Sequence, residues 1–245
     1  MKTLFSMAND AGGPVAADIL RERYGGSGVE VQVRWLPDVA IQYLLITDND
    51  LHTQTIALTG TRNFENIRLD LASALIADQD LGVALHNGFR TAGLAVFQDV
   101  VPLLREDSTV TVTGCSLGGA AAVILSMYLL QDGFAIDQVV TFGQLKVTDA
   151  AGAERYASLP LLRFIAGHDP MPALPSGDYR HAGNEVILLD GPYIVYLTPD
   201  DPDYDRSTDL DVNLPDARLG DHGSYLERLA SKEGIGIVQV PLAER

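Results

Sequence analysis

The chain has 245 residues, 17 Lys and Arg against 33 Asp and Glu, a net charge of −16, and 47% hydrophobic residues. That acidity argues against nucleic acid or anionic membranes as partners, the lone cysteine excludes an internal disulfide, and no run approaches the ~18 apolar residues of a transmembrane span. The length suits one α/β domain, and no linker, repeat or low-complexity run divides residues 1–245. Met1 to Asp10 lack the apolar core of a signal peptide, so with the single thiol the expected location is cytoplasmic, with secretion by another route left open.

In chain order, Val29 to Trp35, Ile41 to Thr47 and Thr53 to Leu58 read as short antiparallel strands, with Asp48-Asn49-Asp50 as a turn. A helical face follows at Phe89, Gly93, Val96, Phe97, Val100, Val101 and Leu104, where Pro102 should end or kink the helix. Thr109 to Thr113 reads as a strand, and Gly119 to Leu130 as a buried helix ending near Gly133. Further strands are expected at Gln138 to Phe142 and Leu161 to Ala166, then a hairpin of Asn184 to Leu189 and Tyr193 to Thr198 around Asp190-Gly191. Strands alternating with helices imply a central, mostly parallel sheet flanked by helices, with antiparallel strands at its N-terminal side.

Between the strand ending at Thr113 and the helix lies Gly114-Cys115-Ser116-Leu117-Gly118. A serine on a strand-to-helix turn is held at a strained corner with its hydroxyl exposed, and the new helix points N–H groups at any oxyanion formed there. Such a serine needs a base and the base an acid, in the chain order Ser, Asp or Glu, His. His52 and His86 precede the serine, and His168 adjoins the best acid, leaving His181 and His222 as candidate bases. Asp169 stands just past the strand Leu161 to Ala166, at the carboxyl edge where open parallel sheets bind ligands; its bland alternative is a turn before Pro170. Cys115 reads as a small buried residue rather than a reactive thiol, and His86 as a helix-start or packing residue.

Several ordered blocks resemble the class 3 (fungal-type) lipases of the α/β-hydrolase fold: Ala57 to Thr61, His86 to Phe89, Thr113 to Ala120, Val140 to Gln144, Phe164 to Pro175, Tyr179 to Val186, and Asp221 to Tyr225. The resemblance implies Ser116, Asp169 and His222 as a triad, with Leu117 and Thr61 as the oxyanion hole; the histidine of the Tyr179 to Val186 block is not the family's base. Departures are Thr59 for arginine, Leu145 for proline, Met171 for valine and Ile67 for the lid tryptophan. The lid would run from Arg62 to Leu71, with Phe64, Ile67 and Leu71 among charged residues, too polar for strong interfacial activation.

The expected activity is that of a serine carboxylic-ester hydrolase, a lipase or esterase on acylglycerols or short-to-medium-chain esters, with transient contact with lipid droplets. A feruloyl-type esterase or phospholipase would use the same triad, and an inactive binding module is the alternative outside enzymes. This chemistry needs no metal or organic cofactor. The spacing of Asp201, Asp203, Asp205, Ser207 and Asp209 echoes a calcium loop, but Arg206 and Val212 replace its glycine and glutamate, so a solvated acidic loop is expected.

Overall fold

Two polar helices, α1 (Lys2–Asp10) and α2 (Ala17–Tyr24), precede the first strand. Neither is expected from the sequence patterns above. Their apolar content is slight (Phe5 and Ala8 are the buried residues of α1, Leu20 that of α2), so they gain stability by docking rather than from their own pattern. The computed structural model describes residues 1–11, 17–60, 74–167, 169–202, 204, 224–233 and 238–241.

β1 (Val29–Leu36), β2 (Ile41–Asp48) and β3 (Thr53–Leu58) pair antiparallel in sequence, as their alternation predicts. A separate antiparallel pair follows, β4 (Leu75–Asp78) and β5 (Val83–His86), too short to announce itself in the sequence. β6 (Thr109–Cys115), β7 (Ile136–Phe142), β8 (Leu161–Ala166) and β9 (Asn184–Leu188) run parallel to β3 and to one another. β10 (Tyr193–Leu197) returns antiparallel on β9, and β11 (Val238–Gln239) lies parallel to β10 at the edge. Among the described residues the sheet has nine strands, in the order β1-β2-β3-β6-β7-β8-β9-β10-β11.

Helices cover both faces. On one lie α3 (Asn87–Val100) and α4 (Leu117–Gln131), packed on Ile56, Leu58, Val110, Val112 and Val139. α4 has no polar side: every residue from Leu117 to Leu129 is buried between α3 and the sheet, which is why its sequence reads as one apolar run. α3 turns Phe89, Ala92, Gly93, Val96 and Val100 inward and stops at Val100, with Pro102 in the 3-10 turn Val101–Leu103 that follows.

A short α5 (Ala150–Arg155) lies between β7 and β8, and α6 (Tyr225–Ala230) near the C-terminus. On the other face, Phe5 of α1 joins Val140, Phe142, Phe164 and Ala166 with Tyr225 and Leu229 of α6. The pleat thus sends successive residues of β7 to opposite layers, Val139 towards α4 and Val140 towards α1.

Candidate active site

β6 ends at Cys115 and α4 begins at Leu117, so one residue makes the turn from strand to helix. That residue is Ser116, at φ 57° and ψ −127°, a conformation costly for any residue with a side chain. Two backbone bonds hold it there. Its N–H donates to Phe142 O at 2.8 Å, and its carbonyl accepts from Ala120 N–H at 3.1 Å, closing the first turn of α4. Its Oγ is buried and makes no hydrogen bond to a described residue. Leu117 is the first residue of α4, where N–H groups lack an intrahelical acceptor and form the positive end of the helix.

The end of β3 presses against this corner. A Cβ on Gly118 would overlap the Thr59 carbonyl, and one on Gly60 would stand 2.7 Å from Cys115 O and 3.1 Å from Ser116 Cβ. Bare backbone at both positions lets the two segments touch. Thr61 follows Gly60 in sequence; it and the expected lid residues Arg62, Phe64, Ile67 and Leu71 lie outside the described residues.

Across the sheet, Cys115 is in register with Phe142, and Phe142 with Phe164. Ser116 and Asp169 therefore leave the same carboxyl edge, two strand spacings or about 10 Å apart in the sheet direction. Asp169 is 8% exposed. Its N–H donates to Ala166 O at 2.8 Å, its Oδ1 accepts from Met171 N–H at 2.9 Å, and its Oδ2 accepts from the Tyr225 hydroxyl at 2.6 Å. Tyr225 is fully buried, and burial and the Asp169 charge hold its phenol well above the ordinary range, so it remains a donor. Tyr225 closes the last of the family-like blocks, three residues after His222, and that spacing is its signal in the sequence. His222 and His168 lie outside the described residues.

Burial, with Asp169 nearby, pushes the Cys115 thiol up to about 12, so it carries no thiolate at neutral pH and packs as a small apolar group. His86 accepts from Phe89 N–H at 3.3 Å and stacks on the Phe89 ring at 3.9 Å, which makes it the cap of α3. His52 stands at the opposite edge of the sheet, beside Asp107 at 3.1 Å. His181 is buried with its Nε2–H donated to Pro172 O at 2.8 Å, so that proton is engaged by backbone.

Of the acidic run, Asp201 accepts from Thr198 N–H at 3.4 Å, while Asp203, Asp205, Ser207 and Asp209 lie outside the described residues. Among the described residues, no helix is long and apolar enough to cross a membrane.

The family model for lipase (class 3) matches residues 55–179, which span β3 through the loop carrying Asp169. A secreted mono- and diacylglycerol lipase of Fusarium solani is 30% identical over 164 residues, covering 60% of this chain and 47% of its own. Lipase II of Rhizopus niveus superposes with a TM-score of 0.75 at 18% identity, covering 92% of this chain and 93% of its own. A triacylglycerol lipase whose catalytic centre is a serine-protease triad superposes at 0.69, with 22% identity and 92% of each chain covered. The chain spans about half to two thirds of the length of the curated relatives it matches.

The Fusarium relative is secreted, and this overturns the cytoplasmic location expected above. A single cysteine excludes an internal disulfide without fixing the compartment. The fold is that of the α/β-hydrolase lipases, and the chain belongs to the class 3 lipase family.

Proposed function

We propose that this chain is a secreted serine carboxylic-ester hydrolase acting on acylglycerols or other short-to-medium-chain esters. Ser116 Oγ bonds to the ester carbonyl carbon while His222 takes its proton. The charge that develops on the carbonyl oxygen faces Leu117 N–H and Thr61. As the tetrahedral intermediate collapses, the ester C–O bond breaks and the alcohol leaves with the proton from His222. Water then attacks the acyl-enzyme by the same route, releasing acid and free serine. Asp169 stabilises the imidazolium that forms in each half.

The observation that carries this reading is the corner at Ser116: a strained, positive-φ serine at the carboxyl edge of β6 and the N-terminus of α4, its Oγ without a hydrogen bond to a described residue. The carboxylate two strands away, already held by Met171 and Tyr225, supports it. His222 is supported as base by sequence order and by lying three residues before Tyr225, which reaches Asp169. The named activities of the Fusarium lipase and of the triad lipase point the same way. No step calls for a metal, so activity should survive a chelator.

A serine-directed phosphonate should label Ser116 and abolish turnover of p-nitrophenyl esters; label elsewhere overturns the assignment. The charged residues between Arg62 and Leu71, with the net charge of −16, favour neutral ester droplets over anionic surfaces. Rate against tributyrin concentration should therefore rise only modestly at the solubility limit. A steep rise, with triolein cleaved faster than tributyrin, would reverse that part.

A further inference from the structure

The loop carrying Asp169 is held from outside by a buried histidine that the ester chemistry leaves idle. His181 is 2% exposed, and its backbone is clamped on both sides. The preceding Arg180 N–H donates to Thr148 O at 2.7 Å, and the following Ala182 O accepts from Arg163 Nε at 3.1 Å. Arg163 is itself fixed, paired with Glu185 at 3.0 Å and covered by the Tyr204 ring at 5.4 Å. With the backbone so held, the ring delivers Nε2–H to Pro172 O at 2.8 Å. Pro172 sits in the 3-10 turn Met171–Ala173, and the first N–H of that turn, on Met171, is the donor to Asp169 Oδ1.

Donation from Nε2 requires the proton there and leaves Nδ1 as a lone-pair acceptor, which is buried and makes no hydrogen bond to a described residue. An unsatisfied buried acceptor is a penalty that leucine or phenylalanine would not carry. What the histidine contributes in return is its Nε2–H. Burial and the Arg163 and Lys146 cations hold the ring well below the ordinary histidine range, and Glu185, the carboxylate of this cluster, is taken by Arg163.

We propose that His181 is a positioning residue: its Nε2–H sets the turn Met171–Ala173, and through Met171 N–H the carboxylate of Asp169. This rests on the ester-hydrolase reading, in which Asp169 stabilises the imidazolium of the base. His181→Phe keeps a ring and removes the donor, whereas His181→Gln returns a donor near the height of Nε2.

With p-nitrophenyl butyrate below its solubility limit, His181→Phe should lower kcat about 10- to 100-fold with KM within about twofold. The acid limb of kcat/KM should move to lower pH, because a misaligned carboxylate supports the imidazolium less. His181→Gln should restore both. A folded His181→Phe with unchanged kcat and acid limb overturns the proposal, as does a glutamine variant no better than phenylalanine. If the phenylalanine variant does not fold, 15N NMR of the wild-type histidines decides: His181 should carry its proton on Nε2, unchanged from about pH 5 to 9. An Nδ1–H ring, or one that titrates in that window, overturns the proposal. Ser116→Ala, run alongside, separates the two failures. An active Ser116→Ala defeats the ester-hydrolase reading, whereas an inactive one beside an unaffected His181→Phe defeats only the positioning.

Discussion

The corner at Ser116 and the loop at Asp169 leave the same sheet edge, yet they are held by opposite means. At Ser116 most of the determinants are local. The strand, the helix and the glycines at 114 and 118 all lie within a few residues, and β3 approaches from the side through Gly60. At Asp169 one carboxyl oxygen is held by a local N–H, on Met171, but the other depends on Tyr225, 56 residues on in sequence. The corner takes its turn from its own strand and helix, and the Phe142 carbonyl of β7 and the backbone at Thr59 and Gly60 close on it. The Asp169 carboxylate also takes a bond from α6, which packs through Tyr225 against Phe5 of α1 and Phe142 of β7.

The largest effect expected from breaking this pair is Ser116→Ala, which should lower kcat by on the order of 10⁶-fold while the protein stays folded. Steady-state turnover with unchanged thermal unfolding would establish it; near-wild-type turnover would remove the corner from the chemistry. Asp169→Asn keeps the shape of the loop and should cost about 10⁴-fold in kcat, the scale seen when a triad carboxylate becomes an amide.

Gly118→Ala tests the close approach of the β3 end to the Ser116 corner. Its Cβ meets the Thr59 backbone rather than a movable side chain, so the variant should lose about 3 kcal/mol or more in urea unfolding. Stability within about 1 kcal/mol of wild type would show that β3 yields easily.

Tyr225→Phe probes the distant side and should lower kcat roughly tenfold by removing one charge-assisted hydrogen bond from Asp169. An unchanged kcat would mean that the Asp169 carboxylate does not need the Tyr225 hydroxyl.

The smallest effect is expected at Cys115, where Cys115→Ala should leave turnover within about twofold. The folded protein keeps this thiol's proton to about pH 12, whereas an unfolded chain releases it near 9. That contribution to stability is therefore complete below pH 9 and lost as pH rises towards 12, since the unfolded state sheds the proton first. Unfolding followed across that window should show a shallower decline in Cys115→Ala than in wild type.

Much of the sheet was legible because its strands carry their own signals. Thr53 to Leu58 and Leu161 to Ala166 are bounded in the structure as their β-rich runs suggest, and Pro102 ends α3 because its ring cannot sit in a helix interior. The corner at Ser116 was legible for the same reason: five consecutive residues between an alternating strand and an apolar helix specify it. α1, α2 and the β4–β5 pair were not legible, being short elements whose stability comes from what they pack on.

By itself, then, the sequence determined the α/β architecture, the strand-to-helix corner and the family resemblance, all written in contiguous patterns of side-chain size and polarity. Tertiary structure decided which distant groups reach Asp169 and which histidine nitrogen is engaged. The sequence marks Tyr225 and His181 through the blocks that hold them but not their partners, which they reach only when α6 and the loop after Asp169 are folded against the same sheet edge. Hydrogen bonds between residues far apart in the chain depend on three-dimensional closure, and no local pattern records that.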